Sequence, residues 1–472
     1  MRRGRGAAVG ARQRLARLGR WLGEPAGATP LVVFRIGFGL IMCLAAVRFL
    51  LKGWVRTQFI EPTFHFRYFL FEWIPVLPGE WIYLVFGIQI ACAAMIALGW
   101  HYRAAAVGFF LAFSYVELLD QATYLNHYYF ISLVAFLLVL LPLHRWGSLD
   151  AARRGSVRAP PARWIALVLK AQIAIVYFFA GVAKLNPDWL LRAEPLGIWL
   201  SARSGLPLAG VLFDQPWFAF LMSWGGAAFD LSIPALLLWR ASRPWAYLAV
   251  AGFHLTTAVL FPIGVFPWVM MAAALIFFDE ADYRRIGRFF RGVRNRFGRA
   301  RPTRARGDGR RRPAPGTALP VGRARGIVLA SFLALQVLLS LRHWAYPGDV
   351  LWTEEGFRFS WRVMVAEKTG AAFFRVTDPR TDRSWEAYPA DYLTPQQERQ
   401  FAFQPDMILG FAHHLRDTLR EAGVADPEIR ARVYVSLNGE RSRLLVDPAV
   451  DLAKTPKSLA PKEWVLARMG RE

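Results

Sequence analysis

Residues 162–184 read ARWIALVLKAQIAIVYFFAGVAK, and the reading of this stretch decides the fold. Crossing the hydrocarbon core of a bilayer takes about 20 predominantly apolar residues, and this run has that length. No water is available there to bond exposed N–H and C=O groups, so the chain must bond them internally, as a helix. Working outward, runs of the same character recur at 30–51, 81–100, 103–119, 127–143, 217–239, 244–261, 263–278 and 325–342. The sequence therefore predicts an all-α polytopic membrane domain of about nine transmembrane helices in a lipid bilayer. Composition agrees: 472 residues, 55% of them hydrophobic, carry more apolar surface than one soluble core needs.

The formal charge of +24 raises nucleic acid as a partner class. The basic residues, however, punctuate the apolar runs. They fill the start of the chain, then recur at Arg103, at Arg145, Arg153, Arg154, Arg158 and Arg163, at Arg240 and Arg243, and between 284 and 325. With the expected helix count these loops share one side, which the positive-inside rule assigns to the cytoplasm. No nucleic-acid partner is expected. The expected organisation is a basic cytoplasmic N-terminus at 1–29, a membrane domain at 30–279, an Arg/Pro/Gly-rich cytoplasmic linker at 280–324, a last transmembrane helix at 325–342, and a soluble extracytoplasmic domain at 343–472. From about 294 to 324 the linker has almost no large apolar residue and cannot fold by burial. The Arg-rich start leads into the first run without a small-residue cleavage site, so that run reads as a retained anchor. The abundance of Arg and Ala points to a bacterial source, and hence to the inner membrane. Cys43 and Cys92 both lie inside apolar runs, which leaves no disulfide framework and no thiolate metal site.

Beyond 343 the pattern changes to short alternating runs, AAFFRVTD at 371–378, RVYVSLNGE at 432–440 and RLLVDPAV at 443–450. Between them 397–423 places apolar residues at helical spacing and ends at Gly423, where a helix cap would suit. This predicts a small α+β domain, with a β-sandwich bearing a helix as one form of it. His413 and His414 are adjacent on that helix, so they point in different directions and read as surface residues rather than metal ligands. No metal is expected.

Ionisable groups inside spans need a partner or a role. The candidates are Arg35, Glu117, Lys170, Lys184, Asp230 and His254, with Asp120 and His127 at span ends. Arg35 and Lys170 read as snorkelling groups near the cytoplasmic side. Lys184, at the end of FFAGVAKLNPDW, His127, in LNHYYF, and His254, in FHLTTAVLF, fall on three helices but in one leaflet. An amine shielded by apolar helices can serve as a base near neutral pH. The residues alone leave two readings open, a catalytic Lys–His site and a structural polar cluster. Trp189, Phe178, Phe179, Tyr128 and Tyr129 are equally open between a wall that excludes water and an interfacial aromatic belt.

The strings FAGVAKLNPDWL, LNHYYF, FHLTTAVLFPIGVFPWVM, FSWRVMVAEK, VYVSLNGE and LLVDPAVDL resemble the vitamin K-dependent gamma-glutamyl carboxylases and their bacterial relatives, whose membrane part is the HTTM domain. The resemblance runs from about residue 30 to 455 and keeps the order of the parts. It implies an enzyme that couples oxidation of vitamin K hydroquinone, or menaquinol, by O2 to the 2,3-epoxide with carboxylation of a peptide glutamate by CO2. By motif match it implies Lys184 as the catalytic lysine and His127 as the histidine of the carboxylation half. Asn126, His254 and Trp189 are implied to line the cofactor site. The partners implied are an isoprenoid quinol and a glutamate-containing peptide or protein.

The match has departures. Ala183 stands where animal members carry a second lysine, and Leu125 stands where they carry a further asparagine. The cysteines that join the two parts in animal members are absent as well. Two other functions therefore stay open: a quinol epoxidase without glutamate carboxylation, and a non-enzymatic transporter or scaffold in which Lys184, Asp230 and His254 hold helices together.

Overall fold

The computed structural model describes residues 13–14, 16–155, 159–207, 209–297 and 322–468. Each apolar run is a helix: α1 Thr29–Leu51, α2 Trp81–Leu98, α3 Tyr102–Leu119, α4 Asn126–Leu140, α5 Arg163–Ala183, α6 Pro216–Leu238, α7 Arg243–Leu260, α8 Phe266–Ala274 and α9 Arg323–Leu341. The span count is the point of difference. Among the described residues six helices, α1, α2, α3, α5, α6 and α9, are long and apolar enough to cross a membrane, while α4 and α8 are shorter. α7 falls short because Arg243, His254, Thr256 and Thr257 dilute its apolar residues. About nine spans is therefore not reached by length and composition.

Small residues let these helices approach closely. A methyl group on Gly39 would lie 2.6 Å from Ala93 O, so α1 rests against the backbone of α2. α2 stops at Gly99, whose φ of 64° suits a residue without Cβ. Arg35 sits beneath that end and is 0% exposed. Its guanidinium donates to Ile96 O at 2.8 Å and Ala97 O at 2.6 Å, and also to Gly147 O. Far from snorkelling, Arg35 binds the orphan carbonyls that close α2, at the end where the helix dipole favours a cation. Lys170 likewise turns inward, toward Phe277 O at 3.5 Å.

The linker expectation changes at its start, where Glu280–Phe297 is helical. The low-complexity remainder up to 321 lies outside the described residues.

After α9 the chain forms a four-stranded antiparallel sheet in the order β2-β1-β3-β4, with β1 Lys368–Asp378, β2 Arg383–Ala387, β3 Glu428–Leu437 and β4 Arg443–Leu444. Ile429, Ala431, Val433, Val435 and Leu437 alternate inward along β3. They meet Met407, Ile408, Phe411 and Leu415 of α11 (Pro405–Glu421), which follows α10 (Pro395–Phe401). The expected single helix is two because Pro405 begins a new one. One sheet backed by a helix replaces the sandwich form; among the described residues there is no second sheet. His413 and His414 are half-buried rather than on the surface. One bonds Thr455 O at 2.7 Å, and the other stacks on Phe64 with ring centroids 4.1 Å apart.

The sheet portion is seated on the helices. Gln397 donates to Asp120 Oδ2 at 2.8 Å and to Phe64 O at 2.7 Å, while Trp199 Nε1 donates to Glu367 Oε2 at 2.6 Å. Phe66, Ala122 and Ala183 from the helical portion pack directly into the sheet portion's core.

Candidate functional site

The motif AGVAKLNPDW builds its own geometry. Gly181 lets α5 close on α6: a methyl group there would lie 2.9 Å from Leu231 N. Lys184 caps α5, and its Nζ turns back to Ala180 O at 3.3 Å and across to Asp230 Oδ2 of α6 at 2.8 Å. The two side chains are only 7% and 6% exposed, so this is a buried ion pair. Asn186 then accepts a hydrogen bond from Trp189 N at 3.0 Å and begins the short helix Pro187–Arg192, with proline at its first position. That turn lays the Trp189 ring over Lys184 Nζ at 5.1 Å. Trp189 Nε1 is anchored on Ser223 O at 2.8 Å.

Lys184, Asp230 and Trp189 line a cavity of about 80 Å³ with Tyr177, His254, Trp199, Phe253 and Phe261. Tyr177 lies on α5 two helical turns before Lys184, and its hydroxyl meets His254 Nε2 at 2.8 Å. The other ring nitrogen, Nδ1, is buried without a partner among the described residues.

His127 opens on a different space. It lies in the first turn of α4 and lines a chamber of about 470 Å³, together with Asn126, Tyr128, Arg48 and Glu117. Ile263, Phe266, Val363 and Met364 border both the chamber and the small cavity. Phe266 stands between the two histidines, with ring centroids 5.7 Å from His127 and 5.8 Å from His254.

A family model for the HTTM domain matches residues 24–281, and one for the vitamin K-dependent gamma-carboxylase, lumenal domain, matches residues 322–470. The chain belongs to the vitamin K-dependent gamma-glutamyl carboxylase family. No solved structure matches it. Membership makes the chain an integral membrane protein with a carboxylase-like function, and implies vitamin K hydroquinone as its cofactor.

In this carboxylase-family chain, Lys184, His254 and Trp189 share the small cavity, whereas His127 and Asn126 line the chamber across the common wall. Asn126 also reaches the sheet portion, donating to Arg362 O at 3.3 Å. Of the other aromatics, Tyr128 lines the chamber. Phe179 and Tyr129 are buried in the helical core, and Phe178 is 48% exposed and faces outward. Sequence reasoning grouped Asp230 with Lys184 and His254 only in its non-enzymatic alternative, and it missed Tyr177, Phe266 and the pair Val363–Met364. A carboxylate inside a span must find a cation, which is the signal that joins Asp230 to a lysine.

Outside the spans, Asp188 follows Pro187 in the same motif. Burial alone would raise its carboxyl, yet hydrogen bonds from Asn438 at 3.0 Å and Arg468 at 3.2 Å hold it below the usual carboxylate range. In the loop that forms the wall, burial brings Arg362 down to about 10.

Proposed function

We propose that the chain is a quinol-dependent γ-glutamyl carboxylase, in which Lys184 and Asp230 act on the quinol and His127 serves the carboxylation half. The buried Lys184–Asp230 pair in an aromatic cavity carries this reading. The lining fits a quinol: rings to meet an aromatic head group, an amine beside a carboxylate, and the unpartnered His254 Nδ1 for a hydroxyl. When bound, the hydroquinone, oxidised by O2 to its 2,3-epoxide with release of water, supplies the strong base that takes a γ-proton from peptide glutamate before CO2 adds.

Lys184 accepts a quinol hydroxyl proton when the proton of the Lys–Asp pair rests on Asp230. Trp189 covers the amine and keeps water from it. Tyr177 holds the His254 ring through Nε2 and leaves Nδ1 without a partner among the described residues. Across the wall, His127 meets the glutamyl side chain, and Asn126 ties the first turn of α4 to the wall loop. A cytoplasmic N-terminus and an outer sheet portion accord with the basic loops and with the match to a lumenal-domain family, and in a bacterial inner membrane menaquinol offers the same type of head group.

The test uses purified full-length protein with vitamin K hydroquinone, O2, radiolabelled bicarbonate and a glutamate-rich peptide. Wild type is expected to form epoxide and labelled peptide. Lys184→Ala is expected to lose both by about 100-fold or more, the scale of a positioned proton-transfer group. Epoxide without label would favour the epoxidase reading, and neither product across several quinols would sink the enzyme reading.

A further inference from the structure

The chamber beside His127 contains a cation whose counter-charge is missing. Among its described lining residues Arg48 is the only lysine or arginine and Glu117 the only acid. Glu117 accepts from Ser132, and among the described residues no ion pair joins it to Arg48. The Arg48 guanidinium lies over the Trp54 ring at 4.8 Å and has no carboxylate partner among the described residues. A cation toward the end of a span calls for a partner or a way out to water. Arg48 keeps accessible surface while lining the chamber, so a ligand can reach it.

The position of the guanidinium narrows the ligand. Gly264 has φ +62° and leaves a gap at the edge of the shared wall. A methyl group there would sit 4.0 Å from Arg48 Nη1 and 3.9 Å from His127 Nε2. A guanidinium and an imidazole nitrogen thus flank one space, next to the partition that separates it from Lys184. Guanidinium recognises carboxylate through paired hydrogen bonds, and its preference for an acid over the matching amide follows from the charge.

We propose that Arg48 binds the side-chain carboxylate of the substrate glutamate in this chamber. The proposal rests on the carboxylase reading for the identity of the acid, though a carboxylate site stands without it. It also assigns Arg48 a part in the reaction. Removal of a proton from the carbon beside a carboxylate moves that electron pair into the carboxylate and doubles its negative charge. A fixed cation therefore holds the deprotonated form more tightly than the substrate itself. The departing proton goes to the base formed from the quinol, and the new carbon–carbon bond forms when CO2 accepts the electron pair.

The probe is a pair of fluorescent peptides, one with glutamate and one with glutamine at the same positions, titrated against detergent-purified full-length protein. Wild type is expected to prefer the glutamyl peptide by about tenfold or more, as loss of a charge-assisted hydrogen bond implies. Arg48→Gln is expected to bind both alike, with Arg48→Lys recovering part of the preference. Comparing two peptides on one variant cancels any loss of folded protein. An Arg48→Gln variant that keeps the wild-type preference, or a wild type with none, overturns the proposal and leaves Arg48 as a snorkelling group. A wild type that prefers glutamate through Arg48 yet fixes no labelled CO2 refutes the carboxylase reading and upholds the carboxylate site.

Discussion

Replacing Asp230 by asparagine would leave Lys184 without its counter-charge in an apolar cavity, with only neutral acceptors, Ala180 O and the new amide oxygen, around its Nζ. Breaking one side of a buried pair costs about 3–5 kcal/mol. Asp230→Asn is thus expected to lower the thermal unfolding midpoint and to remove activity together. The double variant Lys184→Met, Asp230→Leu separates the two effects, since an apolar pair of similar volume is expected to restore stability while activity stays absent. If the double variant were as unstable as the single one, the pair would not be the source of the loss. At this scale the sequence disclosed which groups were anomalous and not how they were joined. Lys184, His127 and His254 stood out because ionisable groups are rare in apolar runs. Phe266, Val363 and Met364 gave no such sign, because an apolar residue that separates two cavities reads like any other core residue.

Among the elements, the approach of α5 to α6 is set by Gly181. Gly181→Ala places a methyl group 2.7 Å from Leu231 Cγ and must push the helices apart, lengthening the Lys184–Asp230 contact. The variant is expected to fold, with unfolding free energy reduced by about 1–3 kcal/mol, and to lose turnover out of proportion to that. An unaltered turnover would show that the site tolerates the shift. The segment at 357–365 is the other decisive element. Phe359, Trp361 and Met364 all adopt positive φ, at 62°, 59° and 51°. Each such residue carries strain of about 1–3 kcal/mol, sustained by its surroundings. Here Tyr124 OH accepts from Phe359 N at 2.9 Å and Asn126 holds Arg362 O. Helices were legible because an apolar run of spanning length has one way to bond its own backbone in a bilayer. β2 was not, since Arg383–Ala387 is short, polar and half-exposed, and its strand character comes from pairing with β1.

For the molecule as a whole, the seat between helices and sheet determines how stability responds to acid. Burial holds His413 and His414 below the ordinary histidine value of about 6.5. The unfolded chain therefore takes up protons that the folded one resists, and stability is expected to fall as pH drops below about 6.5. A His413→Gln, His414→Phe variant should lose less of its unfolding midpoint between pH 7 and pH 5.5 than wild type. An equal loss would place the sensitivity elsewhere. Arg468 joins Asp188, Asp349 and Glu440, so Arg468→Gln is expected to loosen the sheet portion and speed proteolysis at the seam. The order of the two portions could be read from the sequence, but their contact could not: Asp120 stood out at a span end, yet its partner Gln397 is unremarkable in its own stretch. Val363 and Met364, contributed by the chain after the last membrane helix, border both cavities. A protein with only the helical portion would have to seal those cavities with other residues, so neither enclosure belongs to the helices alone.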